Sequence, residues 1–76
     1  MNHFAQNIQL IRESMGLTQS AVAQKIGVKR TRYGAWEEGR AYPRVRELFT
    51  LCEALGTTDI YALFKEKLGE TGVKAI

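Results

Sequence analysis

The sequence predicts an all-α protein, a compact bundle of five helices. Four glycines, Gly16, Gly27, Gly39 and Gly56, divide the 76 residues into segments of helical length. Within each segment apolar residues recur at spacings of three and four, and no stretch keeps the period-two alternation of a strand. Apolar residues make up 45% of the chain, enough for one core. A domain this short buries only about 60% of its unfolded-chain surface, so its stability must rest on regular, well-packed elements. A single domain over residues 1–68 and a C-terminal tail over 69–76 are expected.

The elements follow in order. Phe4, Ile8, Ile11 and Met15 form one face of a first helix that ends before Gly16. Thr18 is a good N-cap for a short second helix to about Lys25, with Val22, Ala23 and Ile26 turned inward. A third helix over Arg30 to Glu37 buries Tyr33 and Trp36. The fourth begins after Pro43, a residue suited to a first turn, and lines up Val45, Leu48, Leu51, Cys52 and Leu55. A fifth, starting at Thr58 or Asp59, turns Ile60, Leu63, Phe64 and Leu68 inward.

Charge is unevenly placed. Residues 25–46 hold seven cations, Lys25, Lys29, Arg30, Arg32, Arg40, Arg44 and Arg46, against Glu37 and Glu38, for a net +5, while the remainder of the chain is −2. One face built for a polyanion is the simplest purpose of such a block, set against the blander reading of a solvated loop. Other classes drop out. The longest apolar run, Ile60 to Phe64, is far short of the ~18 residues of a membrane span, and no signal segment opens the chain, so a cytoplasmic protein is expected. One cysteine, Cys52, one histidine, His3, and one aspartate, Asp59, supply neither a disulfide nor a metal-ligand set. Ser14 and Ser20 have no histidine in reach other than His3, which argues against a hydrolase. No cofactor and no catalytic role are expected.

Between the second and third helices only Ile26-Gly27-Val28 are available, so the two must cross steeply. Ala23 is small where the third helix passes over it, Gly27 can adopt positive φ at the corner, and Val28 plugs the elbow. Counted from Gln19, apolar or small residues fall at the fourth, fifth, eighth, tenth, fifteenth and eighteenth places, with glycine at the ninth. That is the spacing of a helix-turn-helix.

With Leu17-Thr18-Gln19, Val22-Ala23, Gly27-Val28, Trp36-Glu37-Glu38-Gly39-Arg40 and Pro43, the chain resembles the lambda-repressor-like, Cro and xenobiotic-response-element family of DNA-binding domains over about residues 6–65. The resemblance implies that the third helix enters the major groove while the first turn of the second grips the backbone. Carried over by position, it implies base contacts from Lys29, Arg30, Thr31 and Ala35, and backbone contacts from Gln19, Arg32 and Arg40. Gln19 would also brace the recognition helix. Arg12 and Glu37 match a family ion pair between the first helix and the end of the third. Independently of the resemblance, Glu37 lies four residues after Tyr33 and next to Trp36, which draws its carboxylate inward and demands a partner.

Some residues depart from the family's pattern. Lys29 stands where Ser or Thr commonly caps the third helix, and Arg30 adds a second cation at an end that disfavours cations. A local rule broken at one spot points to a functional site. Gly34, inside a helix, costs ~1 kcal/mol relative to alanine. It leaves room either for close approach of DNA or for packing against the first helix, the former being preferred. Glu38 stands where a neutral amide often lies near phosphate, which argues against a contact there. Leu10, Tyr42, Phe49 and Tyr61 miss the inward stripes and are candidates for a partner surface.

The expected function is sequence-specific binding of double-stranded DNA by a repressor-like transcription regulator of bacterial or phage type, acting as a homodimer on an inverted-repeat operator. With no second domain to sense a ligand, regulation would come from concentration, a protein partner or proteolysis. Alternatives of the same fold are an antitoxin or a restriction-system controller. The alternative of another class is a protein-interaction module that has lost DNA binding, which would have little reason to keep Gln19, Lys29, Arg30, Arg32 and Arg40 together.

Overall fold

A computed structural model describes residues 3–57 and 59–65. They form five helices: α1 (Phe4–Ser14), α2 (Gln19–Ile26), α3 (Arg30–Glu37), α4 (Val45–Leu55) and α5 (Ile60–Lys65). Leu68 and the tail expected over 69–76 lie outside the described residues. Among those described, no helix is long and apolar enough to cross a membrane.

Each helix starts and stops for a local reason. The Thr18 side chain accepts a hydrogen bond from the Ala21 amide at 3.0 Å, capping α2. Gly27 ends that helix at φ +78°, a left-handed conformation that costs a residue with a Cβ, and Val28 N donates back to Ala23 O at 3.0 Å. Asp59 Oδ1 accepts from Ala62 N at 3.0 Å and caps α5. α3 has no side-chain cap at Lys29.

The core gathers Phe4, Ile8, Val22, Ala23, Tyr33, Trp36, Leu51, Cys52, Leu55 and Leu63, with Ile11, Ile26, Val28, Leu48, Ile60 and Phe64 packed against it. α1 lies across α3, α4 and α5, and α2 packs on α3 and α4. Two members of the expected inward stripes are outside instead. Met15 follows the last helical residue and is 44% exposed, since its side chain leaves the bundle with the turn. Val45 is 69% exposed because residues 44–46, the start of α4, all stand in solvent.

Asn7, a polar residue at a helical position of α1, is buried, and its Nδ2 donates to Leu63 O at 2.8 Å. His3 N donates to Phe64 O at 3.0 Å, so α1 is hydrogen-bonded to the backbone of α5 at two points. Tyr42, Phe49, Leu10 and Tyr61 are exposed as expected. Tyr42 nonetheless rests its ring near Phe4 and Phe64, at centroid distances of 5.8 and 6.2 Å.

Candidate nucleic-acid interface

Three residues, Gly27, Val28 and Lys29, join α2 to α3, so the start of α3 projects beside the start of α2. Lys29, Arg30 and Thr31 are all exposed there. The other side of α3 is held down: Tyr33 and Trp36 are completely buried and meet edge to face, with ring centroids 5.7 Å apart. Ala35 does not stand with the exposed group. It is 9% exposed, although it lies one turn after Thr31 on the same face of α3.

Below this surface lies a polar network. Arg12 Nε donates to Glu37 Oε2 at 2.6 Å and Arg12 Nη2 to Glu37 Oε1 at 3.1 Å, a two-pronged pair between α1 and the end of α3. Arg12 Nη1 donates to Leu17 O at 2.7 Å, which ties the α1–α2 turn into the same network. Burial pushes the Glu37 carboxyl up, but hydrogen bonds from Arg12 and Gln19 outweigh it and hold it below the ordinary carboxylate range. Tyr33 is buried beside this carboxylate, and its hydroxyl makes no hydrogen bond of good geometry there. Burial first, and the adjacent Glu37 carboxylate second, push its phenol well up.

Gln19 connects the network to the surface. Its Nε2 donates to Glu37 Oε1 at 2.8 Å, and its Oε1 accepts from Arg30 Nη1 at 3.1 Å. The amide can stand only this way round, because a carboxylate only accepts and a guanidinium only donates. One amide hydrogen of Gln19 is committed to Glu37. Gly34 lies beneath this glutamine. A Cβ at residue 34 would come within 3.4 Å of Gln19 Oε1 and 4.0 Å of Arg30 Nη1. Such a Cβ would thus meet Gln19 and Arg30 in ordinary van der Waals contact, and not α1.

The remaining cations differ in freedom. Arg40 Nε donates to Glu38 Oε1 at 2.7 Å, with both side chains more than half exposed. Arg32 is more firmly held: its Nε and Nη2 donate to Glu47 Oε2 and Oε1 at 2.9 and 2.6 Å, and its guanidinium carbon lies 5.6 Å from the Trp36 ring centroid. Glu47 Oε1 also accepts from Arg44 N at 2.8 Å. The Arg32 guanidinium first, and the Arg44 amide second, bring the Glu47 carboxyl down to about 2. Sequence reasoning missed Glu47. The signal was its place as third residue of the helix after Pro43, where a carboxylate satisfies free amides.

Two short helices in a tight Gly27 corner, the second opening on exposed polar and cationic residues, define a helix-turn-helix protein. The sequence profile of the HTH_3 helix-turn-helix family matches residues 8–61, and the chain belongs to that family. It is similar to the crystal structure of an HTH_3 family transcriptional regulator from Vibrio cholerae, at 28% identity and a TM-score of 0.67 over 74% of this chain. The match spans 32% of that regulator's chain. It also shares the fold of a hypothetical transcription factor, NHTF, from Neisseria, at 23% identity and a TM-score of 0.79, covering 96% of this chain and 81% of that one. No protein of curated function matches the sequence.

Proposed function

We propose that this chain is a DNA-binding transcription regulator of repressor type that reads a specific duplex sequence in the cytoplasm, as a homodimer on an inverted repeat. The observation that carries the reading is the head of α3. Lys29, Arg30 and Thr31 stand exposed at a helix N-terminus that has no side-chain cap, where a cation is disfavoured until an anion or an electronegative base edge arrives. A fold that needed only stability would place Ser, Thr or Asp there.

In this reading Arg30 forks onto O6 and N7 of a guanine, with Gln19 holding one of its nitrogens, and Thr31 and Lys29 reach neighbouring base edges. Gln19, through its free amide hydrogen, and Arg40 contact phosphates, which set the register without reading sequence. One such helix reads only a few base pairs, so two copies act together. The exposed Phe49 and Tyr61 suit the contact between copies, away from α2 and α3. Between α4 and α5, an open apolar groove of ≈ 600 Å³ lined by Phe49, Cys52, Glu53, Gly56, Thr57 and Ile60 adjoins that surface.

Selection of binding sites from random duplexes, with sedimentation of free and bound protein, tests the reading. Half-sites about 10 base pairs apart, or a multiple of that, with dyad symmetry, are expected. No enrichment of any sequence, with no duplex binding even at low salt, would overturn it.

A further inference from the structure

Arg32 is set apart from the other cations of α3. It stands one turn after Lys29, on the same flank of the helix, yet both nitrogens on one edge of its guanidinium are occupied by Glu47 in a fork at 2.9 and 2.6 Å. The Trp36 ring lies beside it at 5.6 Å. Glu47 is fixed in turn, because Oε1 also accepts the Arg44 amide at the start of α4. The side chains of Arg32 and Glu47 are 38% and 22% exposed, against 66% and 61% for Arg40 and Glu38. A phosphate reaching for Arg32 would have to displace a preformed bidentate carboxylate that costs no association entropy to hold.

Resting on the DNA-binding reading above, we propose that Glu47 limits the sequence-independent part of the affinity: it withholds Arg32 from the DNA backbone, so that α3 meets the duplex through Lys29, Arg30 and Thr31 without a further cation blind to sequence. Each phosphate neutralised adds affinity on every sequence alike and about 0.9 to the slope of log K against log salt. Removing one such contact lowers binding to all sequences by the same factor and leaves contacts to base edges in place. Arg32 then serves as a positioning residue, joining α3 to the start of α4 and fixing the intervening segment that carries Arg40.

The test uses a duplex of scrambled sequence titrated by fluorescence anisotropy over a range of salt. Glu47→Gln keeps an oxygen for the Arg44 amide, so the start of α4 is retained. It should tighten binding to the scrambled duplex several-fold and steepen the salt slope by about 0.9. Glu53→Gln changes the net charge equally and frees no arginine, so its slope should match the wild type. Arg32→Ala should leave the wild-type slope unchanged, and the double variant Arg32→Ala/Glu47→Gln should lose the gain. A slope flattened by Arg32→Ala, or a Glu47→Gln slope no steeper than that of Glu53→Gln, would overturn the proposal. Should Glu47→Gln fail to fold, Arg32→Ala decides alone by the same criterion. A wild-type chain silent on every duplex would remove the DNA-binding reading. Binding gained by Glu47→Gln and not by Glu53→Gln would still support the withheld arginine, and silence of both would overturn it.

Discussion

Arg12 and Glu37, 25 residues apart in sequence, meet through two hydrogen bonds in the interior, with 11% and 3% of their side chains exposed. A pair so enclosed is asymmetric in its energetics. Forming it returns little beyond the desolvation of both ions, while removing one partner strands the other. Arg12→Met should therefore destabilise the fold by about 3–5 kcal/mol, and replacing both residues by apolar ones should cost less than the single change. Urea midpoints of the single and double variants measure this, and a loss below about 1 kcal/mol for Arg12→Met would show that the pair behaves as an exposed one.

Acid should weaken the protein through its carboxylates. Glu47 is held at about 2 against an ordinary value of 4.5, and Glu37 is also held low, burial opposing the effect and hydrogen bonds prevailing. A depressed carboxyl contributes stability that is complete above its unfolded value and disappears as pH falls through the folded one. Stability should thus be level above about pH 5 and decline from there toward about pH 2. Glu47→Gln should be less stable than the wild type near neutrality and show a shallower decline. An acid limb identical in the two proteins would rule out the Glu47 contribution.

Base readout should divide the surface residues into two groups. Arg30→Ala should cost about 1–3 kcal/mol on the selected operator and relax the preference at one base position per half-site. Arg40→Ala should weaken all sequences alike. Titrations of every single-base variant of one half-site separate the groups, and a uniform loss for Arg30→Ala would make it a backbone clamp.

Self-association should depend on the exposed apolar side chains of α4 and α5. Phe49 is 56% exposed and borders the groove between the two helices. Phe49→Lys should shift sedimentation toward the monomer and weaken operator binding, while leaving the unfolding free energy from urea titration within about 0.5 kcal/mol of the wild type. Unaltered association would place the contact between copies elsewhere.

What could be read in advance follows the range of the interactions. Thr18, Gly27, Tyr33 and Trp36 were legible because caps, corners and apolar stripes are written within a turn or two of chain. That Glu37 needs a partner was legible because its carboxylate lies beside two buried aromatics, whereas the choice of Arg12 came from the family resemblance. The Arg32–Glu47 fork was not, since it depends on how residues 38–44 bring α4 back beside α3, and no local period encodes that return. Asn7 escaped for a similar reason: a polar residue on an apolar face has no signature until the backbone group it binds, Leu63 O, is in place. Met15 and Val45 were misplaced because periodicity continues to a helix's last residue, whereas burial stops where the neighbouring helices stop. Ala35 differs from the other expected base contacts in being 9% exposed, which its place in the chain did not announce.

The two bonds from α1 to α5 bear on the order in which the molecule opens. Over its described residues, Ile60–Lys65, α5 meets the rest of the bundle chiefly through α1. Asn7 and the His3 amide grip Leu63 and Phe64 from the side, and Phe4 stacks on Phe64 at 4.7 Å, so the first turn of α1 and the whole of α5 are bound to come apart in one event. That event spares the contacts of α2 with α3, so α1 and α5 can part while the helix-turn-helix keeps its shape.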